Sequence, residues 1–117
     1  MKKRGEVYWV NSDPSIGTET KHRRPAVIVS IDKSNRTGFR YQVIPLTSNS
    51  KKVYPGEVLI QFMDGKSKAL VDQVSSLSKE RFSGKLGKLN DEELRKIEEV
   101  LFYQLGLNRI ATLNEEE

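Results

Sequence analysis

Pro25-Ala-Val-Ile-Val-Ser-Ile31 constrains the fold more than any other stretch, because it is apolar on both faces. A strand of that kind belongs inside a sheet, covered above and below. Just before it runs a polar segment carrying Glu19, Lys21, His22, Arg23 and Arg24. Pro25 marks the join. It fixes its own φ and pushes Arg24 toward an extended conformation. The Arg24 guanidinium is thereby expected at a strand mouth, held ready for an anion. A plainer reading also fits, in which Arg23 and Arg24 are surface arginines ahead of an ordinary strand.

Short strands of similar kind surround it. Arg4–Val10 is β-branched and aromatic, with Val7 and Trp9 on one face and Tyr8 and Val10 on the other. The polar run from Asn11 to Arg24 is a long loop, of a length that is usually functional or disordered. Asp32–Gly38 reads as a turn, and Phe39–Leu46 as a third strand whose Pro45 implies an edge or an irregularity. Glu57–Met63 alternates as a fourth strand, Asp64-Gly-Lys66 as a hairpin turn, and Ser67–Leu77 as a fifth strand. Ser78–Phe82 fits one helical turn, and Lys85–Leu89 a last short strand.

Asn90 with Glu93 three residues on is an approximate capping box, and Asp91, Glu92 and Glu93 suit the positive end of a helix dipole. Leu94, Ile97, Leu101 and Leu105 recur at helical spacing, and Gly106 is the expected stop. Val100, Phe102 and Leu107 widen the apolar surface beyond one stripe, which points to a contact with a second copy. The expected architecture is mainly β, of α+β class: a small curled antiparallel sheet or half-open barrel closed by a C-terminal α-helix. One domain over residues 1–107 and a polar acidic tail over 108–117 are expected.

Charge and inventory narrow the chemistry. Residues 1–90 hold 17 Lys and Arg against 8 Asp and Glu, net +9, whereas residues 91–117 hold 3 against 8, net −5. A basic body calls for a polyanion such as nucleic acid, bound away from the last helix. No membrane-length apolar run and no signal peptide are present, so a cytoplasmic protein is expected. With one His and no Cys, a His/Cys metal cluster within one chain is unavailable. There is no phosphate-binding Gly-rich loop, no dinucleotide fingerprint and no Gly-x-Ser-x-Gly elbow, so neither a metal nor a cofactor is expected.

An enzyme acting on phosphodiesters with this inventory must rely on Arg, Lys, Glu and hydroxyl groups. RNA is a substrate for which these suffice, because its own 2′-OH can attack the adjacent phosphate. If Phe39–Leu46 pairs antiparallel with Pro25–Ile31, the intervening turn centres near residue 35, midway between 24 and 47. Thr47 then lies beside Arg24 at one sheet end. Alone, Thr47-Ser48 reads better as a turn.

Five motifs together resemble one family. Arg4-Gly-Glu-Val-Tyr-Trp-Val10, Asp13-Pro14 with Gly17 and Glu19, Arg24-Pro-Ala-Val-Ile-Val29, Ile44-Pro-Leu-Thr-Ser48 and Val71-Asp-Gln-Val74 follow the order and spacing of the MazF/PemK toxins. The resemblance implies an SH3-like (CcdB/MazF-like) barrel, a homodimer and a MazE-like antitoxin. It implies a ribosome-independent, metal-free endoribonuclease that cuts single-stranded mRNA at short sequences, leaving a 2′,3′-cyclic phosphate and a 5′-OH.

Carried onto this chain, the resemblance makes Arg24, Thr47 and Glu19 the catalytic candidates. A guanidinium, with a pKa above about 12, serves better as an electrostatic stabiliser than as a proton carrier. Ser67 and Gln73 match positions lining the RNA groove, and Arg81 is a weaker match. His22, Arg23, Ser48, Lys51 and Lys52 complete the expected RNA contacts. Two rivals stay open: a CcdB-like gyrase poison, which lacks the Arg–Thr pair, and a non-catalytic small-barrel RNA-binding protein.

Overall fold

A computed structural model describes residues 1–12 and 23–107. Seven strands form one antiparallel sheet: β1 (Glu6–Val10), β2 (Arg24–Ile28), β3 (Arg40–Thr47), β4 (Glu57–Phe62), β5 (Gly65–Leu70), β6 (Ser75–Ser78) and β7 (Phe82–Lys88). Their order is β4-β5-β3-β2-β1-β7, with β6 also paired to β3. A short helix α1 (Asp32–Asn35) links β2 to β3, and α2 (Asp91–Gln104) closes the chain order.

The doubly apolar second strand is internal, as its pattern requires. Val27 packs into one core cluster with Val7, Ile44, Leu46, Ile60 and Ile97. Ala26 and Ile28 pack into another with Val10, Tyr41 and Val43. The sheet curls without closing, since β4 and β7 end the ladder unpaired with each other. A side chain bridges that gap. The Phe62 ring reaches from β4 to Gly87 on β7, close enough that a Cβ there would touch it at 3.4 Å.

Several expectations need correction, each for a physical reason. The fifth strand is two strands: β5 pairs Ala69 with Leu46, while β6 pairs Ser75 with Val43. Residues 70–74 thus stand where β3 supplies only Ile44 and Pro45. Pro45 has no N–H to give that side of the ladder, and the chain turns a corner there through a 3-10 turn, Val71–Gln73, with Val71 fully buried. Pro45 therefore marks an irregularity, as expected, but not an edge, because β3 is internal.

Asp32–Gly38 begins as a helical turn instead of a plain one. Buried Asn35 organises it: its Nδ2 donates to the Ser30 carbonyl at 2.9 Å and its Oδ1 accepts from the Ser30 hydroxyl. The β4–β5 turn falls on Met63-Asp64, one residue earlier than expected, with Met63 at φ +57. The helical turn expected within Ser78–Phe82 is a 3-10 turn, Lys79–Arg81, and β7 starts three residues earlier than expected, at Phe82.

Asn90 caps α2 as expected, its Oδ1 accepting the Glu93 N–H at 2.8 Å. Glu93 does not complete the box. Its carboxylate accepts the Gln61 N–H at 2.9 Å instead, covering a donor of the edge strand β4. Ile97 is fully buried, whereas Leu105 is 54% exposed, so the helix stripe sinks into the core at its middle and not at its end. Ile97→Ala is expected to lower stability by about 2–5 kcal/mol, seen as a lower denaturant midpoint at unchanged m-value.

Candidate functional site

Three chain segments meet at one end of the sheet: the end of β1, the start of β2 and the end of β3. Val10 pairs with Arg24 across β1 and β2. The β2–β3 register sets Ala26 opposite Pro45, and carried two residues further it sets Arg24 opposite Thr47. Thr47 in turn pairs with Lys68 on β5. The antiparallel register thus brings an arginine, a threonine and a lysine onto adjacent strands.

These residues line a cavity of about 850 Å³. Its polar wall carries Arg23, Arg24, Thr47, Ser48, Asn49 and Ser67. Trp9, Phe62, Met63 and Leu86 supply apolar and aromatic surface. Among the described residues no Asp, Glu or His lines it, so the charged side chains on its wall are all cationic.

Arg24 is exposed, and among the described residues its guanidinium has no hydrogen-bond or ion-pair partner. A planar fork of donors left open to the cavity is suited to two phosphate oxygens at once. The Arg23 guanidinium lies 4.6 Å from the centre of the Trp9 ring, a cation–π stack that leaves Arg24 as the arginine facing the cavity unengaged. The Thr47 hydroxyl accepts the Asn49 N–H at 3.2 Å. That bond uses an oxygen lone pair and leaves the hydroxyl proton available for a ligand. Thr47 is therefore a turn former and a free donor together.

The other sequence candidates divide. Arg23, Arg24, Thr47, Ser48 and Ser67 come together around the cavity. Gln73 is exposed on the 3-10 turn after β5, outside the cavity lining. Arg81 sits at the same sheet end beyond β1, its carbonyl accepting the Asn11 N–H at 2.9 Å, but does not line the cavity. Lys51 is exposed, and the Lys52 ammonium lies 5.8 Å from the centre of the Tyr54 ring. Glu19 and His22 lie outside the described residues.

Sequence reasoning missed Trp9, Asn49, Phe62, Met63, Lys68 and Leu86 as cavity residues. Trp9, the single tryptophan, was the one with a usable signal. The hairpin residues had none, because their alternation shows a strand but not which strand end it faces. Met63 combines a left-handed φ of 57° with 71% exposure, a conformation uncommon for a non-glycine residue and maintained here at the cavity wall.

A curled antiparallel sheet whose open end holds an arginine unpaired among the described residues, hydroxyl donors and stacking surface has the elements needed to bind a phosphate-bearing, base-bearing chain. Comparison with known proteins makes the class specific. The chain belongs to the family of PemK-like, MazF-like toxins of type II toxin–antitoxin systems, whose model matches residues 3–105. It is 37% identical over 116 residues to endoribonuclease MazF9 of Mycobacterium tuberculosis, covering 92% of this chain and 98% of that one. A mycobacterial endoribonuclease solved in complex with its cognate antitoxin superposes with a TM-score of 0.75 at 26% identity, over 92% of this chain and 97% of that one. MazF from Deinococcus radiodurans gives 0.74 at 29% identity, over 90% and 96%.

Proposed function

We propose that this endoribonuclease toxin of a type II toxin–antitoxin system cuts single-stranded mRNA at short sequences, independently of ribosomes and of metal ions. The 2′-oxygen of one nucleotide attacks the adjacent phosphorus, and the bond from phosphorus to the 5′-oxygen breaks. The 2′-OH loses its proton, the leaving 5′-oxygen gains one, and the products are a 2′,3′-cyclic phosphate and a 5′-OH. The observation that carries this reading is that Arg24 and Thr47 line one cavity, at the end where the β2–β3 register runs toward them.

In the transition state the phosphorane carries extra negative charge on its non-bridging oxygens. The Arg24 fork meets two of them, and the Thr47 hydroxyl donates to the same group. Both donors are fixed on adjacent strands, so little reorganisation is needed as charge develops. Glu19 takes the proton-handling or arginine-orienting role. Arg23, His22, Ser48 and Ser67 contact phosphates and bases, with Gln73, Arg81, Lys51 and Lys52 as outlying contacts along the strand. Splayed bases stack on the aromatic wall.

The solved relatives include an endoribonuclease with its cognate antitoxin and a MazE–MazF complex of Deinococcus radiodurans. A MazE-like antitoxin is accordingly proposed as the partner that blocks this cavity. A homodimer is proposed as the active unit, and the exposed Phe102, Leu105 and Leu107 after the buried part of α2 are surfaces a second copy can cover. Among the described residues no helix is long and apolar enough to cross a membrane. A cytoplasmic location is proposed with them, since an mRNA substrate and an antitoxin partner are met there.

The test is incubation of the purified protein with a long RNA in EDTA. Discrete cuts with 5′-OH ends support the proposal. Intact RNA at high protein excess overturns it, and RNA retained uncut on a filter then identifies a binding protein without chemistry. Inhibition of gyrase with RNA left whole identifies the CcdB-like alternative.

A further inference from the structure

Lys68 lies on β5 directly across the ladder from Thr47, and it lines the cavity. Yet it is only 8% exposed. A lysine is almost never that buried unless it is paired. Its ammonium donates to Glu57 Oε1 at 2.8 Å and to the Lys52 carbonyl at 2.7 Å, and lies 5.5 Å from the centre of the Tyr54 ring. Glu57 Oε1 also accepts the Tyr54 N–H at 2.9 Å. The bond from Lys68 holds the Glu57 carboxyl below its usual carboxylate range. An ammonium has three donors, and two of them are bonded within the protein here, so at most one is left for a phosphate.

What these contacts join is informative. Residues 48–56 connect β3 to β4, leaving directly from Thr47, and Ser48 and Asn49 at their start form part of the cavity wall. The far end is anchored at Gly56, whose carbonyl accepts the Asp72 N–H at 3.1 Å. Gly56 has φ +88, and a Cβ there would meet both Asp72 and Gln104 at 3.2 Å. Between those ends, Lys68 and Glu57 on the β4–β5 hairpin grip residues 52 and 54.

We propose that Lys68 is a positioning residue for RNA binding: with Glu57 it staples the 48–56 connection to the β4–β5 hairpin and so sets the cavity wall of Ser48 and Asn49. Lys68 thus governs substrate affinity and base preference without touching the phosphate. The inference rests on the nuclease reading, and the two fail separately. If the wild type leaves RNA whole, the nuclease reading fails; if the wild type cuts and the variants below depart from expectation, only the staple fails.

The experiment uses Lys68→Met, Glu57→Gln and the double variant of the full chain. Cut sites are mapped on a long RNA, and kcat and KM are measured on an oligonucleotide carrying the strongest site, at salt from roughly 50 to 200 mM. Lys68→Met is expected to raise KM about tenfold, the scale of one charge-assisted hydrogen bond, with kcat close to wild type. It is also expected to cut at sites that the wild type leaves alone. The double variant should be no worse than Lys68→Met, because both residues act through one contact. It leaves no buried charge unpaired, so it keeps the test open should a single variant fail to fold. An unchanged KM in Lys68→Met overturns the proposal. So does a salt slope reduced by about 0.7 in Lys68→Met with Glu57→Gln at wild-type values, the signature of a direct phosphate contact. Wild-type KM and site preference in a double variant of lowered melting temperature overturns it too, since the pair then serves packing alone.

Discussion

Arg24→Ala should lower kcat for RNA cleavage by about 10³-fold or more, with the RNA still bound. Transferred phosphoryl groups draw heavily on arginine for charge stabilisation, and a single well-placed guanidinium is worth about 10³–10⁵ in related chemistry. Arg24 is the cavity arginine left unengaged among the described residues, since Arg23 is stacked on Trp9. Arg23→Ala should therefore weaken binding and leave kcat nearly intact, whereas Arg24→Ala should do the reverse. Arg24→Lys keeps the charge but loses the fork, so it should recover only part of the rate. Single-turnover cleavage at saturating protein separates the effects. Near wild-type kcat in Arg24→Ala would return Arg24 to the surface arginines.

Thr47→Ala should cost about 10²–10³ in kcat, the usual loss on removing one donor to a developing oxyanion. Thr47→Ser should retain most of the rate. Its hydroxyl can still accept the Asn49 N–H and donate its own proton, as Thr47 is placed to do. Alanine loses both bonds, so a rise in KM from a loosened Asn49 should accompany the fall in kcat. If only KM changes, Thr47 serves the turn and not the reaction. The two substitutions should also be far from additive, because Arg24 and Thr47 address the same phosphate from neighbouring strands.

Much of this was legible in the chain itself, for reasons tied to particular residues. The both-face apolar pattern of Ala26–Ile28 demands an internal strand, and β2 is one. The Arg24–Thr47 pairing follows from the symmetry of an antiparallel register about its turn, so two residue numbers and one turn position suffice to place them together. The Asn90 cap is local chemistry and could be read locally. Glu93 could not. Its local role is half of a capping box, but the unpaired Gln61 N–H of an edge strand competes for its carboxylate, and that donor arrives from 32 residues away.

The same division runs through the site. Sequence alone determines which groups are available: arginines, hydroxyls, one tryptophan, one histidine and no cysteine. It also determines which of them lie at strand ends. Only the tertiary structure decides which ends share a cavity, and it is the corner at Val71–Gln73 that does so. Because Pro45 cannot donate, the ladder breaks there, and β5 and β6 pair with different halves of β3. That break leaves Lys68 opposite Thr47 with Ser67 in the same cavity wall, while Gln73 falls on the corner itself, outside the cavity. The residue pattern of the segment does not reveal such a break, since what switches is the hydrogen-bonding partner, and that is supplied by β3 from a distant part of the chain.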